Sequence, residues 1–278
     1  MKMGTANKIR IGTLGSAATF AGEATSGMRE IYPEFSAAIY FPSMDACWRE
    51  LKKGTVEAVI VGVERTGQPH HGEPVIAYGF YVIGELSQPL KCNLYVKPGT
   101  QKSNIHKITG HGSVFQCTAY LDREFPGIPR EAHGLNSVEA AKAMMAGDGT
   151  LAVVGSRSLP RMVSGLEEIG KEIDDGAIAS WWAVAKQPLF RDAPDVLVIA
   201  SRCGPDGQLG RLIGAIADAG YLLQTAASFP VNTGVSVYDY LLTFGGKSTR
   251  SSVEKVVARF SGTRLAGAFD KRGQEPKE

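Results

Sequence analysis

Four polar residues stand where a predicted strand or turn ends, and their chemistry suits a small, negatively charged ligand. Thr19 follows a glycine- and alanine-rich turn, Arg65 follows a buried apolar run, His111 stands between two glycines, and Ser180 precedes two tryptophans. A guanidinium grips a carboxylate through two hydrogen bonds, a hydroxyl donates one, and an imidazole exchanges a proton near neutral pH. These residues predict a site that binds a carboxylate and moves a proton.

The turn before Thr19 has the composition of an anion-binding loop. Residues 14–24 (LGSAATFAGEA) follow the apolar run 9–13, which reads as a buried strand. The first N–H groups of a helix have no partner inside the helix, so the start of a helix after such a turn favours an anion. In the alternative interpretation, glycine and alanine only let a tight turn pack.

The other candidates have structural alternatives too. Arg65 can pair with Glu64 or Glu73 on the surface, His111 can be a solvated turn residue, and Ser180 can bond to backbone at a strand edge. Short polar residues at predicted helix starts suit carboxylate binding and helix capping equally well; they are Ser113, Gln116, Asn136 and Ser137.

Composition narrows the functional class. The chain has 278 residues, 44% hydrophobic and 21% charged, with a formal charge of +2 and no basic run, so nucleic acid is not an expected partner. No apolar stretch is long enough to span a membrane, and the polar first eight residues lack the apolar core of a signal peptide, which predicts a cytoplasmic protein. The four cysteines form no CxxC pair, and the adjacent His70 and His71 have no third ligand at metal spacing. We therefore expect reduced thiols, no metal and no cofactor.

The order of elements predicts an α/β fold with two lobes. Up to about residue 186, short β-rich runs alternate with helical stretches. Ser43 caps a predicted helix over 44–53 that ends at Gly54, and the continuous apolar run 58–63 is typical of a central parallel strand. A second series then predicts strands over 91–97, 105–109, 130–135 and 151–155, with helices over 114–124 and 137–146. Two such series indicate two lobes with a ligand cleft at the strand ends.

A smaller unit follows residue 188. Its pattern predicts a strand over 195–201, a helix over 208–219, strands over 222–229 and 236–244, a helix over 251–259 and a further strand near 263–269. This βαββαβ order has the size of a regulatory module. The charged tail after residue 270 is predicted to fray.

Six stretches, in order and with similar gaps, resemble the prephenate dehydratase family. They are residues 14–20, 63–67, 82–85, 110–117, 136–141 and 173–182. The resemblance implies a two-lobed, periplasmic-binding-protein-like catalytic domain over 8–188, with lobe 1 at about 8–85 and 175–188 and lobe 2 at about 86–174. It also implies an ACT-like domain over 194–270 and a tail over 271–278. The implied activity is the decarboxylation and dehydration of prephenate in phenylalanine biosynthesis.

The resemblance also assigns roles to residues. Ser180, in place of the family's threonine, would donate a proton, and Thr19 and His111 would surround the carboxylates of a dicarboxylic acid. The substrate-binding residues would be Ala18, Glu64, Arg65, Thr66, Gly110, Ser113, Gln116, Asn136, Ser137 and Trp181. The departures fall on the chemistry, since Thr-Arg-Phe is Ser180-Trp181-Trp182 here and Glu-Asn-Ser is Glu64-Arg65-Thr66. Arg65 would replace the cation that Trp181 removes.

These departures leave several functions open. One alternative is a non-aromatising prephenate decarboxylase or a lyase on another cyclic or unsaturated acid, and another is a small-acid binding or sensing protein without turnover. An amino-acid effector would contact Gly207, Leu209 and Ser228, but the family's Glu-Ser-Arg-Pro motif is Ala-Ser-Phe-Pro at 227–230. We therefore expect phenylalanine control to be weakened or lost, and the module to serve mainly to form a homodimer or homotetramer.

Overall fold

The computed structural model describes residues 8–65, 70–134, 136–231 and 235–272. Lobe 1 begins with alternating strands and helices: β1 (Ile9–Leu14), α1 (Phe20–Ile31), β2 (Phe35–Phe41), α2 (Met44–Lys53), β3 (Ala58–Arg65), α3 (Glu73–Ala77) and β4 (Tyr81–Pro89). Lobe 2 follows with β5 (Cys92–Val96), β6 (Lys107–Gly110), α4 (Thr118–Glu124), β7 (Arg130–Ala132), α5 (Ser137–Ala146), β8 (Leu151–Ser156) and β9 (Glu167–Gly170). The chain returns to lobe 1 through β10 (Ile178–Ala185).

The C-terminal unit has the element order βαββαβ. It consists of β11 (Val196–Cys203), α6 (Gln208–Asp218), β12 (Tyr221–Pro230), β13 (Tyr238–Gly246), α7 (Arg250–Val257) and β14 (Thr263–Phe269). Its strands do not form an isolated sheet, because β14 lies beside β4 in parallel, with Gly267 opposite Val82. The result is one nine-stranded sheet in the order β12-β13-β11-β14-β4-β10-β3-β1-β2, while lobe 2 has a five-stranded sheet in the order β7-β6-β8-β5-β9.

Local sequence explains the helices that position the cleft. The hydroxyl of Ser43 accepts from the N–H of Ala46 and begins α2, and Gly54, at φ +84°, ends it in the left-handed conformation that glycine adopts without strain. Cys47 and Leu51 are fully buried on the inner face of this helix. Helix α2 therefore has the capped ends and apolar face that its sequence predicts.

Some predicted elements differ in the structure. The helix predicted over 114–124 is a 3₁₀ helix over Gly112–Gln116 followed by the shorter α4, and the strand predicted over 130–135 is the three-residue β7. Strand β3 is not a purely parallel strand, because it pairs in parallel with β1 but antiparallel with β10. A connection that leaves lobe 1 and returns through β10 reverses the direction of that neighbour.

Buried apolar side chains cover both faces of the nine-stranded sheet. One cluster joins Trp48, Val61 and Trp182, and the other joins Ile11, Met28 and Trp181. All four cysteines are buried free thiols. Among the described residues, no helix is long and apolar enough to cross a membrane. In the same part of the chain, no group of three or more His, Cys, Asp or Glu residues could hold a metal ion.

Candidate active site

A cavity of about 460 Å³ lies between the lobes. Much of its wall is apolar, with Leu14, Phe20, Met44, Trp48, Leu90 and Trp181 among the lining residues. The polar lining includes Thr19, Glu64, Arg65 and Glu73 from lobe 1 and His111, Asn136 and Ser137 from lobe 2. The volume is that of a small-molecule site with a few convergent polar groups.

Arg65 is the one lysine or arginine among the described lining residues. It ends β3, and its Nε atom is buried without a hydrogen-bond partner. Within the described ranges, no carboxylate lies within 4.0 Å of its guanidinium, so the surface ion pair with Glu64 or Glu73 does not form. Burial lowers the pKa of Arg65, although the group stays charged at neutral pH. A half-buried guanidinium with no carboxylate partner among the described residues favours an anionic ligand.

The guanidinium of Arg65 extends from lobe 1 to the backbone of lobe 2. A β-carbon built on Gly112 would stand 3.0 Å from Nη2 of Arg65, which is closer than β-carbons normally approach. A glycine at this position lets the arginine approach the lobe 2 turn.

His111 precedes Gly112 at the start of the 3₁₀ helix and lines the same cavity. His111 is exposed in the open cleft, but the surrounding protein partly desolvates the imidazole and so lowers its pKa, and the nearby guanidinium of Arg65 lowers it further. The imidazole is therefore neutral at pH 7, with one nitrogen able to donate a hydrogen bond and the other able to accept one. This state suits a hydrogen bond to a ligand better than a fixed positive charge.

Thr19 lines the cavity, but its hydroxyl already has partners. Oγ1 donates to the carbonyl of Ser16 at 2.8 Å and accepts from the N–H of Gly22 at 3.2 Å. The side chain is thus an N-cap of α1, and its proton is committed to the turn. Phe20 and Ala21, in the first turn of α1, also line the cavity. Ala18 is buried outside the cavity, and its carbonyl accepts a hydrogen bond from the hydroxyl of Ser156.

The start of α5 contributes two polar residues from lobe 2. Asn136 caps this helix, because its Oδ1 accepts from the N–H groups of Val138 and Glu139. Ser137 is only 2% exposed and lines the cavity, and no residue in the described part of the chain forms a hydrogen bond with its hydroxyl. Ser137 is therefore the hydroxyl that remains available to a ligand.

The structure does not place Ser180 in the cavity lining. Its hydroxyl lies 3.0 Å from that of Ser87 on the neighbouring strand, while Ala179 and Trp181, on either side of it, line the cavity. Alternate residues of a strand face opposite sides of the sheet, so Ser180 faces away from Trp181. The role of Ser180 as proton donor therefore stays a prediction, with its hydroxyl beside Ser87 and outside the described lining.

Trp181 faces the cavity where the family has an arginine. Its ring lies against Gly62, where an added β-carbon would stand 3.2 Å from the indole. Its Nε1 atom is buried without a partner, and the whole residue is 8% exposed. The cavity therefore combines an apolar wall with an unused indole donor.

Other predicted residues lie near the site rather than in it. Ser113 and Gln116 are buried in the 3₁₀ helix, where Ser113 bonds to the carbonyl of His111, and neither lines the cavity. Gly110 does not line the cavity either, and it packs against β8, since a β-carbon there would stand 2.5 Å from the carbonyl of Val154. Thr66 lies outside the described residues.

Several lining residues were not singled out from the sequence, notably Phe20, Met44, Glu73 and Leu90. For Phe20 the signal was present, since it follows Thr19 in the turn already singled out. Glu73 and Leu90 lie in segments whose positions depend on how lobe 1 packs against lobe 2 and the C-terminal unit. With Glu64 and Glu73, the cavity presents two carboxylates beside one guanidinium. It therefore offers an ion pair to one carboxylate of the predicted dicarboxylic ligand.

A second pocket of about 420 Å³ lies between β12 and the end of β3. Ser228 lines it together with Glu64, His70 and Glu73, whereas Gly207 and Leu209, which begin α6, do not. His70 accepts from the N–H of Gly72 at 3.0 Å and stands edge-on to Trp182. Burial lowers the pKa of His70 to about 4, with a further contribution from His71. The three predicted effector residues are thus not gathered in one pocket of this chain.

Comparison with known proteins identifies a family and solved structures that match this chain. The family model for prephenate dehydratase matches residues 11–188. No curated protein sequence matches the chain.

Three solved structures share the fold over nearly the whole chain. Prephenate dehydratase from Arthrobacter aurescens, in complex with L-Phe, is 20% identical with a TM-score of 0.78 over 97% of this chain and 92% of its own. The Staphylococcus aureus Mu50 enzyme is 15% identical with a TM-score of 0.71 over 94% of this chain and 100% of its own. GqqA, described as a novel type of quorum quenching acylase, is 16% identical with a TM-score of 0.75 over 94% of this chain and 97% of its own. At these identities the likeness is one of fold.

Proposed function

The chain belongs to the prephenate dehydratase family, and from that premise we propose that it is a lyase acting on a small carboxylic acid in the cleft between the lobes. The observation that carries the proposal is Arg65, a half-buried guanidinium with a buried Nε atom and no carboxylate partner among the described residues, in a cavity of small-molecule size. Desolvated donors of this kind bind a carboxylate strongly. The substrate we propose is prephenate or a related cyclic acid.

The lining supports a division of labour between the two carboxylates of such a substrate. Arg65 would hold the carboxylate that remains in the product. The apolar wall, with Glu64 and Glu73 nearby, would offer no positive charge to the carboxylate that leaves. Loss of CO₂ releases an electron pair into the ring, and that pair expels the ring hydroxyl, which departs as water after taking a proton. Removing water from the departing carboxylate favours this step.

The proton for the departing hydroxyl would come from lobe 2. The free hydroxyl of Ser137 and the neutral imidazole of His111 both line the cavity. General acid catalysis of this kind contributes on the order of 10²–10⁴ in rate. In this proposal Ser137 and His111 take the proton-donor role that the sequence analysis assigned to Ser180.

A second candidate is decarboxylation without loss of the hydroxyl. It is favoured by the position of Ser180, whose hydroxyl is paired with Ser87 outside the cavity lining. If neither Ser137 nor His111 stands over the ring hydroxyl, the electron pair is protonated on carbon and the ring stays non-aromatic. The reaction then yields CO₂ and a non-aromatic keto acid.

Incubation of the full chain with prephenate separates these cases. Phenylpyruvate with CO₂ supports dehydration, and CO₂ with a non-aromatic keto acid supports decarboxylation alone. Saturable binding without turnover contradicts the lyase proposal and favours a binding or sensing protein. Because GqqA is described as an acylase, an N-acyl amide serves as a parallel substrate, and hydrolysis of it alone would overturn the lyase assignment.

For the C-terminal unit we propose an ACT-like module that pairs two copies of the chain. Strand β12 is an edge of the nine-stranded sheet, and Leu222 on it is 69% exposed. An unpaired strand edge with exposed leucine favours pairing with a second copy. Sedimentation of the full chain and of Leu222→Lys is the test, with dissociation expected for the variant. Calorimetry with L-phenylalanine should show weak or no binding.

A further inference from the structure

A groove separate from the cleft cavity has an excess of cationic side chains. It has a volume of about 780 Å³ and shares no lining residue with the cleft cavity. Lobe 1 lines it with Arg29 of α1, and lobe 2 lines it with Lys91, Arg157 and Arg161. Glu23 and Glu30 are the acidic residues of the described lining, so four cations face two carboxylates.

The three arginines of this groove are unpaired. Within the described ranges, no carboxylate lies within 4.0 Å of Arg29, Arg157 or Arg161. Lys91 differs from them, because its Nζ lies 3.7 Å from both Glu172 and Asp174.

One of the two carboxylates of the groove, that of Glu23, already has a hydrogen-bond partner. Oε1 of Glu23 accepts from the N–H of Ser158 at 3.2 Å, across the junction of the lobes. Beside this contact, the hydroxyl of Ser156 donates to the carbonyl of Ala18 at 3.2 Å. The groove thus lies over a hydrogen-bonded junction, with Arg29 on one side of it and Arg157 and Arg161 on the other.

We propose that this groove binds a small polyanion carrying two linked phosphate groups. A guanidinium matches a phosphate oxygen pair with two parallel hydrogen bonds, and unpaired guanidinium groups offer this without breaking an ion pair. A single phosphate can bind the arginines on only one side of the lobe junction. In this proposal the two phosphates of a diphosphate contact arginines of both lobes at once, so a diphosphate should bind much more tightly than orthophosphate.

Calorimetry of the full chain at low ionic strength tests this proposal. Inorganic pyrophosphate should bind with a stoichiometry of one and at least tenfold more tightly than orthophosphate. The double variant Arg157→Ala, Arg161→Ala should lose at least tenfold in affinity, and Arg29→Ala should also lose affinity. Arg211→Ala is the matched control, since Arg211 is an exposed arginine of α6 outside the groove, and it should bind like the unchanged chain.

Arg65→Ala distinguishes the groove from the cleft, because Arg65 belongs to the other cavity. Retained pyrophosphate affinity in this variant supports the groove, whereas its loss overturns the proposal. Equal affinity for orthophosphate and pyrophosphate, or equal loss in Arg211→Ala, overturns it as well. ADP identifies the source of the diphosphate: binding tighter than pyrophosphate points to a nucleotide, and equal binding points to the free ion. Thermal unfolding of each variant verifies that it folds, and Arg29→Gln replaces the double variant if the latter does not.

Discussion

Nη2 of Arg65 in lobe 1 lies so close to Gly112 in lobe 2 that a β-carbon on Gly112 would stand only 3.0 Å from it. Arg65 belongs to the nine-stranded sheet, and Gly112 follows a strand of the five-stranded sheet. Arg65, the one lysine or arginine of the described cleft lining, therefore lies where the nine-stranded and five-stranded sheets meet. Any change in how the lobes sit together moves this charge relative to the ligand.

Replacing Arg65 by alanine should weaken binding of the anionic substrate by about 2–4 kcal/mol, because a buried charge-assisted pair is lost. Arg65→Lys should recover part of the loss, since it restores the charge but not the two-pronged hydrogen bonds. Calorimetric Kd values with the substrate or a non-reactive analogue provide the measurement. An unchanged Kd in Arg65→Ala would place the carboxylate elsewhere.

Gly112→Ala should displace the guanidinium and weaken substrate binding by about 1 kcal/mol, less than Arg65→Ala does. The effect should disappear when Arg65 is already alanine, because the added methyl group then has nothing to displace. A double-mutant cycle on Kd measures this coupling. Additive losses would show that Gly112 acts through the local backbone instead.

Ser137→Ala and Ser180→Ala form a matched pair of hydroxyl deletions. Loss of the Ser137 hydroxyl, which lines the cavity, should lower kcat by roughly 10²-fold if it donates the proton. Loss of the Ser180 hydroxyl removes only its contact with Ser87, so kcat should change little. The opposite order of effects would restore Ser180 as the donor.

Acid should destabilise the fold through His70 and His111. The pKa of His70 is lowered from 6.5 to about 4 by burial, so as pH falls the unfolded chain takes up its proton before the folded chain does. The free energy of unfolding should therefore decrease from about pH 6.5 down to about pH 4, and the lowered pKa of His111 acts in the same direction. Urea unfolding of the unchanged chain and of His70→Gln across this range provides the measurement. His70→Gln should show a shallower decrease, and an identical slope would contradict the assignment.

Arg264 should position one wall of the cleft from the C-terminal unit. Its Nη2 donates to the carbonyls of Val75 at 2.6 Å and Phe80 at 2.9 Å, and so holds the segment that carries Glu73 into the cavity. Arg264→Met should raise KM more than it lowers kcat and should speed hydrogen exchange over residues 72–80. Arg264→Lys should restore part of both properties. Unchanged exchange in Arg264→Met would show that packing alone holds the segment.

A helix whose ends are capped by residues adjacent in sequence could be predicted from the sequence. A helix whose first N–H groups are capped by a residue far away in sequence could not. Helix α2 has Ser43 and Gly54 at its ends, and its limits match the prediction. Helix α4 begins later than predicted because the carboxylate of Asp175 accepts from the N–H groups of Thr118 and Ala119, 57 and 56 residues away in sequence. The pattern of residues 114–124 contains no trace of that partner.

The site was predicted in part for a similar reason. Arg65, His111, Asn136 and Ser137 follow strands or begin helices, and the structure brings them to one cavity. The side chain of Ser180 lies outside the lining, because Ala179 and Trp181 line the cavity and alternate residues of a strand face opposite sides of the sheet. Which face of β10 is turned to the cavity depends on its pairing with β3, a strand more than one hundred residues away, and no local pattern shows it.

The placement of β14 beside β4 limits how the chain can be shortened. A protein ending at residue 188 would keep both lobes but would leave the backbone donors and acceptors on one flank of β4 without a partner. Val82 on that strand is fully buried in the intact chain. Such a truncated protein would be prone to aggregate, so residues 8–188 depend on their C-terminal neighbour to cover this strand.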